Sequence, residues 1–183
     1  MSQKNPQMES RLEELQQALA GETIRGQILI LTAQIDNLLL EILKRFLKSA
    51  RGKKEDELFR PMSPLDSFSA RTATAYRLGL ISADDADAFD VLRKVRNDCA
   101  HSIAPFSLSE KTHIERLTRF VQLTCSDFSR AIGLGGLVCP KSDEEWVVMS
   151  CICHIVCLET TLQKSTQVSD QFWIGAANKE VSK

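Results

Sequence analysis

Apolar residues recur at steps of three and four along most of the chain. The sequence has no alternating run bounded by Asn-Gly or Asp-Gly, which would indicate a β-hairpin. The chain is therefore predicted to be all-α, a helical bundle of about six helices in a single domain, residues 1–183. Within it we expect an N-terminal helix in 1–20, a core bundle in 22–164 and an irregular tail in 165–183.

The second predicted helix, over about residues 22–49, is the longest and strongly apolar. Its apolar positions cover more than one face, which is typical of a helix at the centre of a bundle or in a dimer interface. The stripe with helical spacing consists of Ile24, Ile28, Leu31, Ile35, Leu38, Leu39, Ile42, Leu43 and Phe46.

Turn and capping residues place the other helices. Gly21 ends the first helix, which begins near residue 8, and Gly79 ends the third. Ser63 is the predicted N-cap of the third helix, with Pro64 at its first position. The remaining predicted N-caps are Ser82 for the fourth helix, Ser107 for the fifth and Ser142 for the sixth, which should cover about residues 143–164.

The segment 50–62 is predicted to be an exposed, charged linker between helices. A short charged run of this kind is typical of a solvated loop. Arg51, Lys53 and Lys54 leave a basic contact to nucleic acid as the alternative.

Composition narrows the classes of function. The chain has 23 basic and 24 acidic residues and a net charge of -1, which argues against a strongly electrostatic DNA or membrane binder. The start of the chain is polar and amphipathic, unlike a secretory leader. The apolar stretch Trp146 to Leu158 is shorter than the ~20 residues of a membrane span. We therefore expect a cytoplasmic protein with no membrane association and no cofactor.

The segment Arg96-Asn97-Asp98-Cys99-Ala100-His101, near the end of the fourth helix, is the strongest candidate for chemistry. Asn97 and His101 are four residues apart and share a helix face, while Arg96 lies about 140° from His101. Together these side chains could bind a phosphate and assist proton transfer at an RNA 2′-hydroxyl without a metal. Alternatively, Asn97 and His101 tie the helix end to a loop, and Arg96 pairs with an acidic residue.

Five further polar residues are predicted to line a binding cleft with His101. Asp36 and Asn37 interrupt the apolar second helix, and Arg25 and Arg71 stand early in their helices. Arg93 belongs to a local basic patch with Lys94 and Arg96. The alternative is that these residues form ordinary salt bridges and buried hydrogen bonds.

The chain has six cysteines, which we expect to be reduced thiols in the cytoplasm. Four residues of metal-binding type fall within a span of seven: Cys151, Cys153, His154 and Cys157. On a helix, Cys153 and Cys157 could share a face, or His154 with Cys157 or Cys151, but all four cannot converge tetrahedrally. A structural core is the favoured interpretation, and a metal site or redox sensor is the weaker one.

A family resemblance is carried by five short segments: Glu22 to Gly26, Ser67 to Arg71, Ala75 to Ile81, Leu92 to Asn97, and Ala100 with His101. They resemble the MltR family of mannitol operon repressor-like proteins, over roughly residues 20–130. The resemblance implies an all-helical transcriptional regulator without a recognisable helix-turn-helix, and it leaves open action through a partner protein.

The Arg-x4-His segment also resembles the signature of HEPN domains. Those domains are helical bundles, often dimeric, and many are metal-independent ribonucleases or toxin components. The resemblance implies catalytic roles for Arg96, Asn97 and His101, commonly across a homodimer.

We expect a homodimer that packs through an apolar helix face. The sequence therefore favours an MltR-like transcriptional regulator that binds a protein partner or nucleic acid. A HEPN-type endoribonuclease, possessing RNA-binding activity, is the alternative. A small-ligand or metal sensor built on the cysteines is a third hypothesis.

Overall fold

The computed structural model describes the backbone of residues 6–47, 57–101, 106, 111–131 and 142–180, and side chains within 10–47, 57–101, 106, 111, 113–124 and 142–164. Over these ranges the chain forms six helices and no strand, which confirms the all-α bundle of about six helices. The helices are α1 (Pro6–Leu19), α2 (Ile24–Phe46), α3 (Phe68–Arg77), α4 (Ala83–His101), α5 (Lys111–Ala131) and α6 (Asp143–Glu180).

Helix α2 is the centre of the bundle. Burying a Leu or Ile side chain stabilises the fold by about 1.5–3 kcal/mol, so this helix supplies much of the hydrophobic free energy. It packs most extensively against α6 and also contacts α1, α3 and α4. Its fully buried side chains are Ile28, Leu31, Ile35, Leu38, Leu39, Ile42 and Leu43.

Side-chain contacts fix the directions of the helices. Arg11 of α1 binds both Glu41 of α2, at 3.0 Å, and Glu159 of α6, at 2.8 Å. At the opposite end of α2, Ile28 packs in one cluster with Val147 of α6. Helices α2 and α6 therefore run parallel.

Helices α4 and α5 run in opposite directions. Asp98, near the end of α4, pairs with Arg116 near the start of α5. Asp87, which comes earlier on α4, pairs with Arg119, which is one turn later on α5. The N-termini of α2, α5 and α6 consequently lie at the same end of the bundle as the C-terminus of α4.

The predicted start of the third helix was wrong. Helix α3 begins at Phe68, with Ser67 as its N-cap accepting a hydrogen bond from the Ala70 amide at 3.2 Å. The hydroxyl of Ser63 instead donates to the Leu58 carbonyl, which also accepts from the Leu65 amide. These bonds hold residues 57–67 in turns, so the Ser63-Pro64 pair does not open a helix.

The last helix is longer than predicted. Ser142 accepts from the Glu145 amide at 3.2 Å, as expected of the N-cap of α6. The helix then continues to Glu180, so the prediction of an irregular tail from residue 165 was wrong over 165–180. The predicted cap at Ser107 and most of the linker, residues 50–56, lie outside the described residues.

A buried arginine attaches α3 and the preceding turns to α2. Arg71 donates to Asp36 Oδ1 at 2.7 Å, to the Leu65 carbonyl at 2.9 Å and to the Asp66 carbonyl at 2.8 Å. The Arg71 side chain is 10% exposed, so these partners replace the water that the guanidinium loses.

Replacing Arg71 with alanine should lower the free energy of unfolding by about 2–4 kcal/mol, because two carbonyls and a half-buried carboxylate lose their donor. Urea denaturation monitored by circular dichroism measures this change. Arg77→Ala, at the exposed end of the same helix, is the control and should change the value by less than about 0.5 kcal/mol. Equal effects of the two variants would contradict a stabilising role for Arg71.

Candidate functional site

The Arg96-to-His101 segment lies in the last two turns of α4, with the helix unbroken through His101. A guanidinium nitrogen of Arg96 donates to Asn97 Oδ1 at 3.1 Å. Because Asn97 shares a helix face with His101, this bond draws the Arg96 side chain towards that face. His101 is exposed, whereas Arg96 and Asn97 are half-buried. The three predicted residues thus form one polar surface at the end of the bundle.

Asp98, within the same segment, attaches α4 to α5. It pairs with Arg116, and its Oδ2 lies 3.5 Å from His113 Nε2. His113 is buried, and its ring packs against Phe106 at a centroid distance of 4.7 Å. Sequence reasoning missed His113 and Arg116, although their spacing of three residues places both on one helix face.

The other predicted cleft residues do not join this surface as a group. The Asp36–Arg71 ion pair lies about 12 Å further along α2 than Ile28, which packs against the segment's Cys99. Asp36 and Arg71 are therefore structural, and neighbouring Asn37 is exposed.

Two of the predicted cleft arginines lie nearer to the segment. Arg93, one turn before Arg96, is half-buried and has its Nε 3.4 Å from Oδ1 of the exposed Asp90. Arg25 is close enough for its charge to favour the Cys99 thiolate, but burial dominates and raises the pKa of Cys99 to about 11. Cys99 is therefore a protonated core thiol at neutral pH.

The cysteines of α6 belong mainly to the core. Cys151 and Cys153 are buried and Cys157 is half-buried. Burial raises the pKa of Cys151 far above its ordinary value, which disfavours the thiolate that metals and oxidants require. Within the described part of the chain no three His, Cys, Asp or Glu side chains converge as a metal site.

His154, a candidate metal ligand in the less favoured interpretation of the sequence, instead joins three helices. Its Nδ1 lies 3.1 Å from Asp85 Oδ1 of α4, and its Nε2 lies 3.0 Å from Thr124 Oγ1 of α5. Phe89 and Phe120 pack against the ring at centroid distances of 5.1 and 5.6 Å. Both ring nitrogens are thus occupied within the protein.

The hydrogen bonds of His154 suit either of its charge states. Neutral His154 donates from Nδ1 to Asp85 and accepts the Thr124 hydroxyl proton at Nε2. Charged His154 donates to both, and the Thr124 hydroxyl then donates to the Phe120 carbonyl, 2.9 Å away. An Asp–His–hydroxyl chain resembles a nucleophile triad, but His154 and Thr124 are only 3% and 2% exposed, so a substrate cannot reach them.

An apolar groove lies between the first halves of α5 and α6, with a volume of about 300 Å³. Leu117 and Val147 form its buried floor, and Ile114, at 45% exposed, stands at its edge. Asp143, in the first turn of α6, contributes a carboxylate to the lining. The floor residues pack in one cluster with Val95 and Cys99 of α4, so the groove and the Arg96-to-His101 segment share an end of the bundle.

Comparisons with protein-family models, with curated proteins and with solved structures found no match to this chain. By length and composition alone, two described stretches, Ile24–Phe46 and Asp143–Lys164, could also cross a membrane. About half of each apolar window is buried inside the bundle, as in core helices of soluble proteins, so the feature is weak evidence of a membrane.

Asp85 should make stability depend on acid pH. Burial alone would raise the pKa of Asp85, but hydrogen bonds from His154 and Ser82 outweigh it and lower the pKa below the ordinary 3.8. A lowered pKa means that the stabilisation is present above the unfolded-state pKa and is lost as pH falls through the folded-state pKa. Urea unfolding between pH 7 and about pH 2.5 should show this loss in the wild type and a shallower one in Asp85→Asn.

Asp87→Asn is the matched control for Asp85→Asn. Asp87 is on the same helix and is also paired, but both it and Arg119 are more than half exposed. Exposed ion pairs contribute about 0–1 kcal/mol, so this variant should keep the wild-type pH dependence. The same flattening in both variants would contradict a special role for Asp85.

Proposed function

We propose that this protein is a transcriptional regulator of the MltR type that acts by binding a partner protein, without catalysis of its own. The observation that carries the proposal is the apolar groove between α5 and α6, beside the segment that resembles the family. Concave apolar surfaces rimmed by polar residues are typical of protein interaction sites.

The groove suits a macromolecular partner better than a small ligand. Small-molecule sites usually enclose most of the ligand's surface. Here Ile114, Thr118 and Gln122 are exposed along the α5 side, and Asp143 is exposed on α6, so among the described residues the groove is open along its length. A partner side chain could enter the groove while the rest of the partner covers the rim.

The distribution of charge favours protein over nucleic acid. Phosphate contacts dominate the affinity of nucleic-acid binders, and the chain has a net charge of -1. Arg71, Arg93 and Arg116 are each paired with an aspartate of the same chain. Forming phosphate contacts with them would require competition with these carboxylates.

The polar surface of Arg96, Asn97 and His101 favours a second candidate, a HEPN-type metal-independent ribonuclease. The Arg96–Asn97 hydrogen bond brings a cation towards the face that carries the exposed His101. In this hypothesis His101 transfers the proton while Arg96 and Asn97 stabilise phosphate charge. The homodimer that we expect from the apolar helix face, and across which HEPN sites are commonly formed, stays a prediction.

Affinity capture from a lysate of the source cells, followed by reconstitution with the purified captured protein, tests the regulator proposal. The reconstituted partner should bind the wild type, and Ile114→Gln should weaken binding at least about tenfold, because a partner that covers the groove loses an apolar contact with this side chain. Tyr76→Gln, an exposed apolar position on α3, is the control and should bind normally. A partner that binds both variants equally would contradict the groove as its site.

RNA cleavage by the purified protein in EDTA separates the two candidates. The regulator proposal predicts no cleavage by the wild type or by His101→Ala on several RNA substrates. His101 is exposed, so its replacement should change the free energy of unfolding by less than about 1 kcal/mol and leave the fold intact. Cleavage by the wild type that is lost in both His101→Ala and Arg96→Ala would establish the ribonuclease instead.

A further inference from the structure

The rim of the groove carries negative charge. Asp143 lines the groove, Glu144 follows it in the first turn of α6, and Glu115 follows Ile114 on α5; all three are exposed. Arg116 directly follows Glu115 but pairs with Asp98. Lys111, one turn before Glu115, is exposed on the same helix. Acidic residues in a first turn also stabilise the helix dipole, but Glu115 is in the second turn of α5, so the dipole does not account for it.

The shape of the groove suits a helix. Its lining follows two parallel stretches, from Ile114 to Gln122 on α5 and from Asp143 to Val147 on α6. An amphipathic helix fills such a groove with apolar side chains spaced three and four residues apart. Its flanking side chains then stand over the rim, where their charge meets the carboxylates of the groove.

We propose that the occupant of the groove is an amphipathic helix of the partner protein, with leucine-like residues on one face and lysine or arginine at the edges of that face. This inference rests on the proposed function, since it names the part of the partner that binds. Charge complementarity supports it. The basic flanks of such a helix would be attracted by Glu115, Asp143 and Glu144, whereas the flanks of an acidic helix would be repelled by them.

Trp146 lines the groove and reports directly on its occupation. The chain has two tryptophans, so Trp173→Phe leaves Trp146 as the single emitter. The probes are two peptides of about 18 residues, long enough to form a helix. Both peptides have the same leucine face. At all of the remaining positions, the first peptide has lysine and the second has glutamate.

The lysine peptide should shift the Trp146 emission to shorter wavelength in a saturable way and bind at least about tenfold more tightly than the glutamate peptide at low salt. Raising the salt to about 0.5 M should reduce this preference, because exposed charges are then screened. In the same background, Ile114→Gln should weaken binding about tenfold, whereas the matched control Tyr76→Gln should not. The double variant Glu115→Gln with Asp143→Asn should keep binding but lose most of the charge preference.

Three results would overturn the inference: absence of lysine-peptide binding, equal binding of both peptides, or binding that is insensitive to Ile114→Gln. Sedimentation of the protein alone supplies a fourth, since a dimer that Ile114→Gln dissociates would show that a second copy occupies the groove. These failures are distinct from failure of the proposed function. A captured partner that binds at Ile114 through a non-helical or acidic segment would leave the regulator proposal standing and refute the basic helix.

Discussion

The packing of α4, α5 and α6 depends on the hydrogen bonds of one buried imidazole, that of His154. A buried imidazole loses its hydration, so each ring nitrogen needs a partner inside the protein. Asp85 and Thr124 are those partners, and Phe89 and Phe120 cover the ring faces. Since each partner is on a different helix from His154, separation of any of the three helices would leave a buried polar atom unsatisfied. The contact therefore specifies how these helices meet as well as stabilising them.

Asp85 couples that contact to the start of α4. Its Oδ2 accepts from the amide and the hydroxyl of Ser82, at 3.0 and 2.7 Å, while the Ser82 hydroxyl accepts from the Asp85 amide in return. This reciprocal cap fixes the carboxylate, so that Oδ1 is directed at His154. One side chain thus both begins a helix and holds the buried imidazole. Asp98 likewise has two partners, since it attaches the other end of α4 to α5 through Arg116 and lies near His113.

The helices were largely predictable, because apolar periodicity and capping residues act locally. Gly21 and Gly79 adopt left-handed φ angles of 80° and 70°, which is why they end α1 and α3. The start of α3 was mispredicted because Ser63 and Ser67 are both plausible caps. The hydrogen bond from Ser63 to Leu58, and those of Arg71 to Asp66 and to Asp36 of α2, decide between them. The polar pairs were not predictable, since Asp85 and His154 are 69 residues apart and no local pattern joins them.

The candidate site shows the same contrast between local patterns, which the sequence reveals, and contacts between distant residues, which it does not. Asn97 and His101 could be placed together because helical spacing alone relates them, whereas the side chain of Arg96 joins them through its hydrogen bond to Asn97. The groove could not be found, because its two walls come from helices whose parallel arrangement is a tertiary feature. Leu117 and Val147 nevertheless connect the two, since they form the groove floor and also pack against Val95 and Cys99. Close-packed residues transmit displacement, so a partner in the groove would contact the same core that supports Arg96 and His101. A regulator and a ribonuclease would thus both use this end of the bundle, and the groove and the segment must be varied separately to distinguish them.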